Sequence, residues 1–222
     1  MVAAGRGERL GGDVPKQYRE IAGVPMLLRA LRPFTSHPEV AQVVVALPEE
    51  DATNPPAWLA PLTGGSLVLV AGGAERSASV ANALGALSPA CEIVLVHDAA
   101  RPFVGRGVID AVIQAARTGV GAVPALPLSD TVKEARDSSS KTVERTVPRD
   151  RLWRAQTPQG FPRQLLVRAH AAASGEAASD DATLVERLGH EVRLVPGSER
   201  NLKVTTAEDL RLAELIARSS EE

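Results

Sequence analysis

At 222 residues the chain is long enough for one sizeable core, and no break in composition divides it, so a single domain spanning 1–222 is expected. Its 25 Lys and Arg against 27 Asp and Glu give a formal charge of −2 with no basic block of the kind that tracks a nucleic-acid backbone; no nucleic-acid partner is expected, and any bound anion should be small. The single Cys91 cannot form an intramolecular disulfide, and no run resembles a signal peptide or a spanning helix of about 20 apolar residues, which predicts a cytoplasmic protein with no membrane partner.

In chain order, the glycine-rich stretch "AAGRGERLGGDVPKQY" (3–18) comes first and a helical pattern, "PMLLRALRPFTS", begins at Pro25. Short apolar runs follow: "QVVVALP" (42–48), "SLVLVAG" (66–72), "EIVLVHD" (92–98) and "VGAVPALP" (120–127). Each is nearly continuously apolar, as expected of a strand covered on both faces. Between them lie the helical patterns "ERSASVANALGAL" from Glu75 and "GVIDAVIQAAR" from Gly107. Strands alternating with helices imply parallel pairing through right-handed crossovers, hence a doubly wound, Rossmann-like, mostly parallel α/β sheet whose ligand crevice lies at the carboxyl ends of the strands. Cys91, just ahead of the third run and without CxxC spacing, reads as a small packed residue.

From Leu128 to Gln159 the alternation dissolves into charged and β-branched residues around the tip "DSSSK". This predicts a projecting hairpin of two polar strands, an arm inserted at 128–157, which is marginal alone and finds its natural support on a second subunit. Thereafter come a helix from Pro162 to about Ser174, a shorter one near "SDDATLVERL", a strand "EVRLVPG" and a closing helix, for which Thr205 with Glu208 forms the expected capping box.

The opening stretch fails both standard phosphate-loop patterns. Lys16 follows Gly12 by three intervening residues with no Ser or Thr after it, and Leu10 stands where a dinucleotide fingerprint wants its third glycine. What remains is a strand end, a long glycine-rich loop and Pro15-Lys16. Glycines let backbone N–H groups turn toward an anion, while Arg9 and Lys16 supply positive charge; a solvated loop with ordinary surface cations is the plainer alternative. Asp98 ends the strongest strand, where a carboxylate is well placed to hold Mg²⁺ shared with substrate phosphates, or merely to cap a turn. His97 should point to the opposite face as a core histidine. "GGAERSASV" (72–80) is a second glycine-rich strand-to-helix turn with Ser77 or Ser79 free to bond a ligand, and Lys203 in "NLKVT" lies beside a late strand. Taken alone, Thr131, Arg149 and Thr157 carry no signal.

Taken in order, "AAGRGERLGGDVPKQY", "GGAERSASV", "VHDAARPF", "SDTVK", "TVPR", "QTPQGF", "SDDA" and "NLKVTTAEDL" resemble the 2-C-methyl-D-erythritol 4-phosphate cytidylyltransferase family, over nearly the whole chain. Relatives with the same "PKQY" and "VHDAARP" include ribitol-5-phosphate cytidylyltransferases. The resemblance implies a nucleotidyltransferase sheet with a β-arm that interlocks a homodimer, and CTP and a polyol phosphate as substrates with Mg²⁺. It places Arg9 and Lys16 on the triphosphate, Asp98 on the metal, and Ala3, Ala4, Gly5, Gly7, Gly73 and Ser79 around the nucleotide. It places Arg101 and Lys203 around the reacting phosphates, with Lys203 helping to position the acceptor phosphate, Thr157 among the substrate-binding residues, and Thr131 and Arg149 reaching that phosphate from the partner's arm. Only Met1 and Val2 precede "AAG", where family members usually carry several apolar residues, so a short first strand is expected.

The implied chemistry suits this inventory. A phosphate monoester oxygen attacks the α-phosphorus of CTP in line and pyrophosphate leaves; the nucleophile is already anionic, so no general base is needed. The task is to bring two polyanions together, which calls for cations and a metal rather than a Ser-His-Asp set.

Overall fold

A computed structural model of the chain describes residues 1–5, 14–173 and 178–219. Strands β1 (Glu20–Ile21) and β2 (Val24–Pro25) form a small hairpin whose turn places Ala22 at φ 47° and Gly23 at φ 69°. Helix α1 (Met26–Thr35) starts directly after Pro25, and its Met26, Leu27, Ala30, Leu31 and Phe34 recur at helical spacing to form one buried face. The β-α alternation continues with β3 (Val43–Leu47), a short α2 (Glu49–Thr53), β4 (Leu67–Ala71), α3 (Arg76–Gly85), β5 (Ile93–Val96), α4 (Arg106–Arg117) and β6 (Gly121–Pro127). Then come β7 (Val132–Ala135), β8 (Val143–Val147), β9 (Trp153–Ala155), β10 (Gln159–Pro162), α5 (Arg163–Ala172), α6 (Asp181–Arg187), β11 (Val192–Pro196) and α7 (Ala207–Arg218).

Strand β3 pairs in parallel with β4, and β6 with β11. The two halves of the sheet are joined by the first three residues. Val2 bridges Ala46 on one side and Asp98 on the other, both in parallel, through bonds from Val2 N to His97 O and from Ala3 N to Ala46 O, each 2.9 Å. The spatial order is therefore β4, β3, residues 1–3, β5, β10, β6, β11. Short as it is, the opening segment takes the central position and delivers Ala3, Ala4 and Gly5 to the carboxyl end of the sheet.

The doubly wound expectation holds in the packing. Val94 and Val96 face a cluster with Val80, Leu84, Leu165, Leu166, Leu184 and Val185 from α3, α5 and α6, while Leu95 between them packs against the cluster of Leu27, Leu31, Ile109 and Ile113 from α1 and α4. The sheet is mostly parallel as expected, and β10 is the exception within it, lying antiparallel between β5 and β6. Its sequence, "QGFP", offers no apolar run to announce a strand. It is seated by close packing: Phe161 is fully buried, and a Cβ on Gly160 would lie 2.4 Å from Cγ1 of Val112. Gly160→Ala should accordingly destabilise the fold by about 1–3 kcal/mol, read as a lower urea midpoint with an unchanged slope.

The hairpin exists but is shorter than the 128–157 arm. Strands β7 and β8 pair antiparallel and are largely exposed, with Lys133 Nζ donating to Thr146 Oγ1 at 2.7 Å and Asp137 holding the tip by accepting from the backbones of Ser139 and Ser140. Beyond it, β9 returns along β6, so the last part of the segment belongs to the sheet. The closing helix packs Ala213 and Ala217 against Ile21, Met26 and Val204. Its capping box is Thr206 with Asp209, one residue beyond the expected Thr205 and Glu208; Asp209 also accepts from the backbone and hydroxyl of Thr205.

Candidate active site

At the carboxyl ends of β4, β5 and the opening segment lies a crevice of about 310 Å³, lined by Ala3, Ala4, Gly5, Lys16, Gly73, Arg76, Ser79, Asp98 and Lys203 among others. Eight of the residues singled out in the sequence meet here although they are spread over 200 positions of the chain, as the loops of a doubly wound sheet require. Arg9 and Gly7 lie outside the described residues.

Asp98 is the electrostatic centre. Lys203 Nζ donates to its Oδ2 at 2.7 Å and Arg76 Nε to its Oδ1 at 3.3 Å. Burial by itself would raise the carboxyl pKa; the Arg76 and Lys203 charges outweigh it and hold Asp98 well below the usual carboxylate range. Arg76, the first residue of α3, is a charged crevice residue that the sequence did not announce, since in "ERSASV" the serines were the candidates. Its guanidinium also donates through Nη1 to Asp181 Oδ2 at 2.6 Å, and its pKa is raised because the two carboxylates outweigh desolvation.

A buried chain of hydrogen bonds fixes Asp98 from behind. Its backbone N–H donates to Thr157 Oγ1 at 3.1 Å, Thr157 Oγ1 lies 2.9 Å from His97 Nδ1, and His97 Nε2 lies 3.1 Å from the carbonyl of Arg101. Desolvation pushes His97 down to about 4, so the ring is neutral at pH 7 and carries one proton. A carbonyl only accepts, so Nε2 donates to Arg101, Nδ1 accepts from the Thr157 hydroxyl, and that hydroxyl accepts from Asp98. His97 is the core histidine expected. Thr157→Val should cost about 1–3 kcal/mol by leaving buried partners unmet, with Thr157→Ser close to wild type, measured by urea unfolding.

Arg101 and Thr157 thus stand behind the crevice instead of lining it. Arg101 Nη1 and Nη2 donate to the carbonyls of Asn201 and Ala155, and burial lowers its pKa against the opposing pull of Asp98. Because Asn201 precedes Lys203 by two residues, this bond ties the last loop to β5. Ser79 is similarly engaged: its hydroxyl lies 3.0 Å from Gly73 N and 3.1 Å from Glu75 O, pinning the turn ahead of α3. That turn requires glycines, since a Cβ on Gly72 would lie 2.3 Å from Ala4 Cβ and one on Gly73 2.4 Å from Ala78 Cβ. Thr131 and Arg149 sit at the base of the arm, where Arg149 donates to the Ser129 carbonyl, and neither lines the crevice of its own chain.

A larger cavity, about 370 Å³, opens at the amino ends of β3 and β5 beneath Met1, walled by Val43, Val44, Ile93, Val94 and Leu84. Of the charged residues that line it, Glu39 and Arg117 are paired with each other at 2.9 Å. The crevice, smaller but ringed by Lys16, Arg76, Asp98 and Lys203, is the one equipped for chemistry on anions.

The family model described as 2-C-methyl-D-erythritol 4-phosphate cytidylyltransferase matches residues 1–219. The chain belongs to that family. It is 46% identical to the enzyme of that name from Salinibacter ruber, over 96% of this chain and 90% of the other, and 48% identical to the one from Frankia casuarinae, over 97% and 79%. Among solved structures, the Thermus thermophilus 2-C-methyl-D-erythritol 4-phosphate cytidylyltransferase superposes with a TM-score of 0.81 at 41% identity, covering 98% of this chain and 96% of that one. Membership in this cytidylyltransferase family agrees with a mostly parallel sheet and with an anion crevice at its carboxyl end. No described helix is long and apolar enough to cross a membrane.

Proposed function

We propose that this chain transfers CMP from CTP to 2-C-methyl-D-erythritol 4-phosphate, giving 4-diphosphocytidyl-2-C-methyl-D-erythritol and pyrophosphate. The observation that carries the reading is the placement of Lys16, Arg76 and Lys203 in one crevice with the buried carboxylate of Asp98, at the mouth of a sheet whose family is cytidylyltransferase. A phosphate oxygen of the acceptor forms a bond to the α-phosphorus, the bond from that phosphorus to the bridging oxygen breaks, and pyrophosphate leaves with the electron pair. The acceptor oxygen is already anionic, so no proton needs removing, and the residues act by position and charge.

Lys16, with Arg9 beyond the described residues, neutralises the triphosphate as charge builds on the leaving group. Backbone groups of Ala3, Ala4, Gly5 and Gly7, with Gly73 and Ser79, receive the nucleotide. Lys203 orients the acceptor phosphate. Among the described residues no cluster of three or more His, Cys, Asp or Glu could hold a metal alone, yet Mg²⁺ commonly takes one or two protein carboxylates with substrate phosphates supplying further oxygens. Asp98 fits that demand; Mg²⁺ bound there supplies charge neutralisation across the phosphates.

The exposed arm, with Val143 about half exposed, suits a homodimer in which Thr131 and Arg149 reach the partner's acceptor phosphate. Mixed dimers of Arg149→Ala and Lys203→Ala chains should then regain one working site, with turnover above either parent; no gain would count against a shared site. The acceptor is decided by pyrophosphate release from CTP with Mg²⁺, offering methylerythritol phosphate and ribitol 5-phosphate separately. Faster release with ribitol 5-phosphate would replace the acceptor, and CTP binding with no release from either would leave a nucleotide-binding homologue.

A further inference from the structure

Arg76 is held between two carboxylates that differ in their hold on it. Asp181, the first residue of α6 and 1% exposed, takes Nη1 at 2.6 Å, whereas Asp98 takes Nε at the longer 3.3 Å. Behind Asp181 stands His170 of α5, its Nε2 2.9 Å from Oδ1; an ionised carboxylate only accepts, so the imidazole donates. Both oxygens of Asp181 are therefore occupied, one by His170 and one by Arg76, and the pair is buried. A guanidinium facing one carboxylate without competition tends to take both of its oxygens, as a fork. Here the fork is split, and Oδ2 of Asp98 is left to Lys203 at 2.7 Å.

We propose that Asp181 and His170 are positioning residues for the reaction: they hold the Arg76 guanidinium back, so that it meets Asp98 through Nε alone and leaves the second carboxylate oxygen to Lys203. Without the Asp181 charge, Arg76 has one carboxylate to neutralise it and closes on Asp98 with two nitrogens, displacing Lys203. The pair thus acts through Arg76 from helices α5 and α6, on the far side of the guanidinium from the crevice. Gln159 and Asp180 brace the same corner. Gln159 Nε2 donates to Asp180 Oδ2 at 2.6 Å and its Oε1 accepts from Ala182 N, while Asp180 caps α6 by accepting from Thr183 N at 3.0 Å. This fixes the first turn of α6, and with it the direction of the Asp181 side chain.

The kinetic part of the test rests on the proposed cytidylyl transfer. Asp181→Asn should lower kcat about 10-fold with a smaller change in the KM for CTP, the size expected of a partner that orients a reacting group. Adding Arg76→Gln to that variant removes the guanidinium that would capture Asp98, so the double variant should turn over at least as fast as Asp181→Asn alone; a further loss equal to that of Arg76→Gln in the native background would overturn the proposal. Should Asp181→Asn fail to fold, His170→Leu should lower kcat while His170→Gln, which keeps a donor toward Asp181, retains it, and equal behaviour of the two would overturn the proposal. Crystal structures of native and Asp181→Asn proteins read the placement without any turnover: two Arg76 nitrogens on Asp98 in the variant support it, and an unmoved Arg76 overturns it. A native protein that releases no pyrophosphate would instead strike the function proposed above, leaving the crystallographic comparison to decide this point.

Discussion

Asp98→Asn should lower kcat by about 10²–10³-fold, the loss seen when one preorganised charge is taken from a reacting centre. Asp98 is 8% exposed, and its carboxylate serves two cations at once, Arg76 on one oxygen and Lys203 on the other. An amide of the same shape keeps the backbone bond to Thr157 Oγ1 but returns no charge to either cation, so Arg76 turns wholly to Asp181 and Lys203 loses its anchor. Stability should fall as well, because removing one member of a buried ion pair leaves the others uncompensated at a cost of about 3–5 kcal/mol. Here that figure is an upper bound, since Asp181 still neutralises Arg76 and Lys203 is partly exposed. Steady-state pyrophosphate release at saturating CTP, beside a urea titration, separates the two effects. Turnover within about threefold of wild type in a folded variant would remove Asp98 from the chemistry.

Lys16→Ala is expected to lower kcat by about 10²-fold or more, since a cation aimed at the leaving phosphates is worth most in the transition state. The turn that carries Lys16 is fixed in place. It opens a short turn of 3-10 helix, Lys16–Tyr18, in which Gln17 is buried and the Tyr18 hydroxyl donates to Asp51 Oδ2 at 2.7 Å while its ring meets Trp58 edge-on at 6.0 Å. Burial, then the bond to Asp51, raises the Tyr18 pKa, so the hydroxyl stays protonated and the clamp stays closed at neutral pH. The ammonium therefore projects from a fixed stem. Lys16→Arg should recover part of the loss, because the charge returns at a different reach and with planar geometry. A variant lacking the Lys16 charge that turns over near the wild-type rate would exclude it from stabilising the departing pyrophosphate.

Most of the architecture was legible because each element carries its own periodicity. Five successive buried residues in β3, and the helical spacing of Val108, Ile109, Val112 and Ile113 in α4, are local statements about which faces need covering. Asp98 was legible for a similar reason, standing just past an apolar strand where a doubly wound sheet has its crevice. Strand β10 was not, because its four residues, Gln159, Gly160, Phe161 and Pro162, state no pattern; its place depends on β5 and β6 having left a gap and on Gly160 letting Val112 approach. The one-residue shift of the last capping box has a similar origin, as neighbouring Thr205 and Thr206 compete for the same Asp209 and only the path of the chain into α7 chooses between them.

By itself, then, the order of apolar runs and loops determined an α/β sheet, its crevice and the residue types that line it, since periodicity and strand-end position are properties of a few neighbours in the chain. Which charges meet was decided only in three dimensions. Arg76, Asp98, His170, Asp181 and Lys203 come from five separate segments, and a pairing energy between side chains 11 to 105 residues apart leaves no mark on the local sequence of any one of them. The same holds for the split of the Arg76 fork, which exists because helix α6 brings a second buried carboxylate to a guanidinium that would otherwise close on the first.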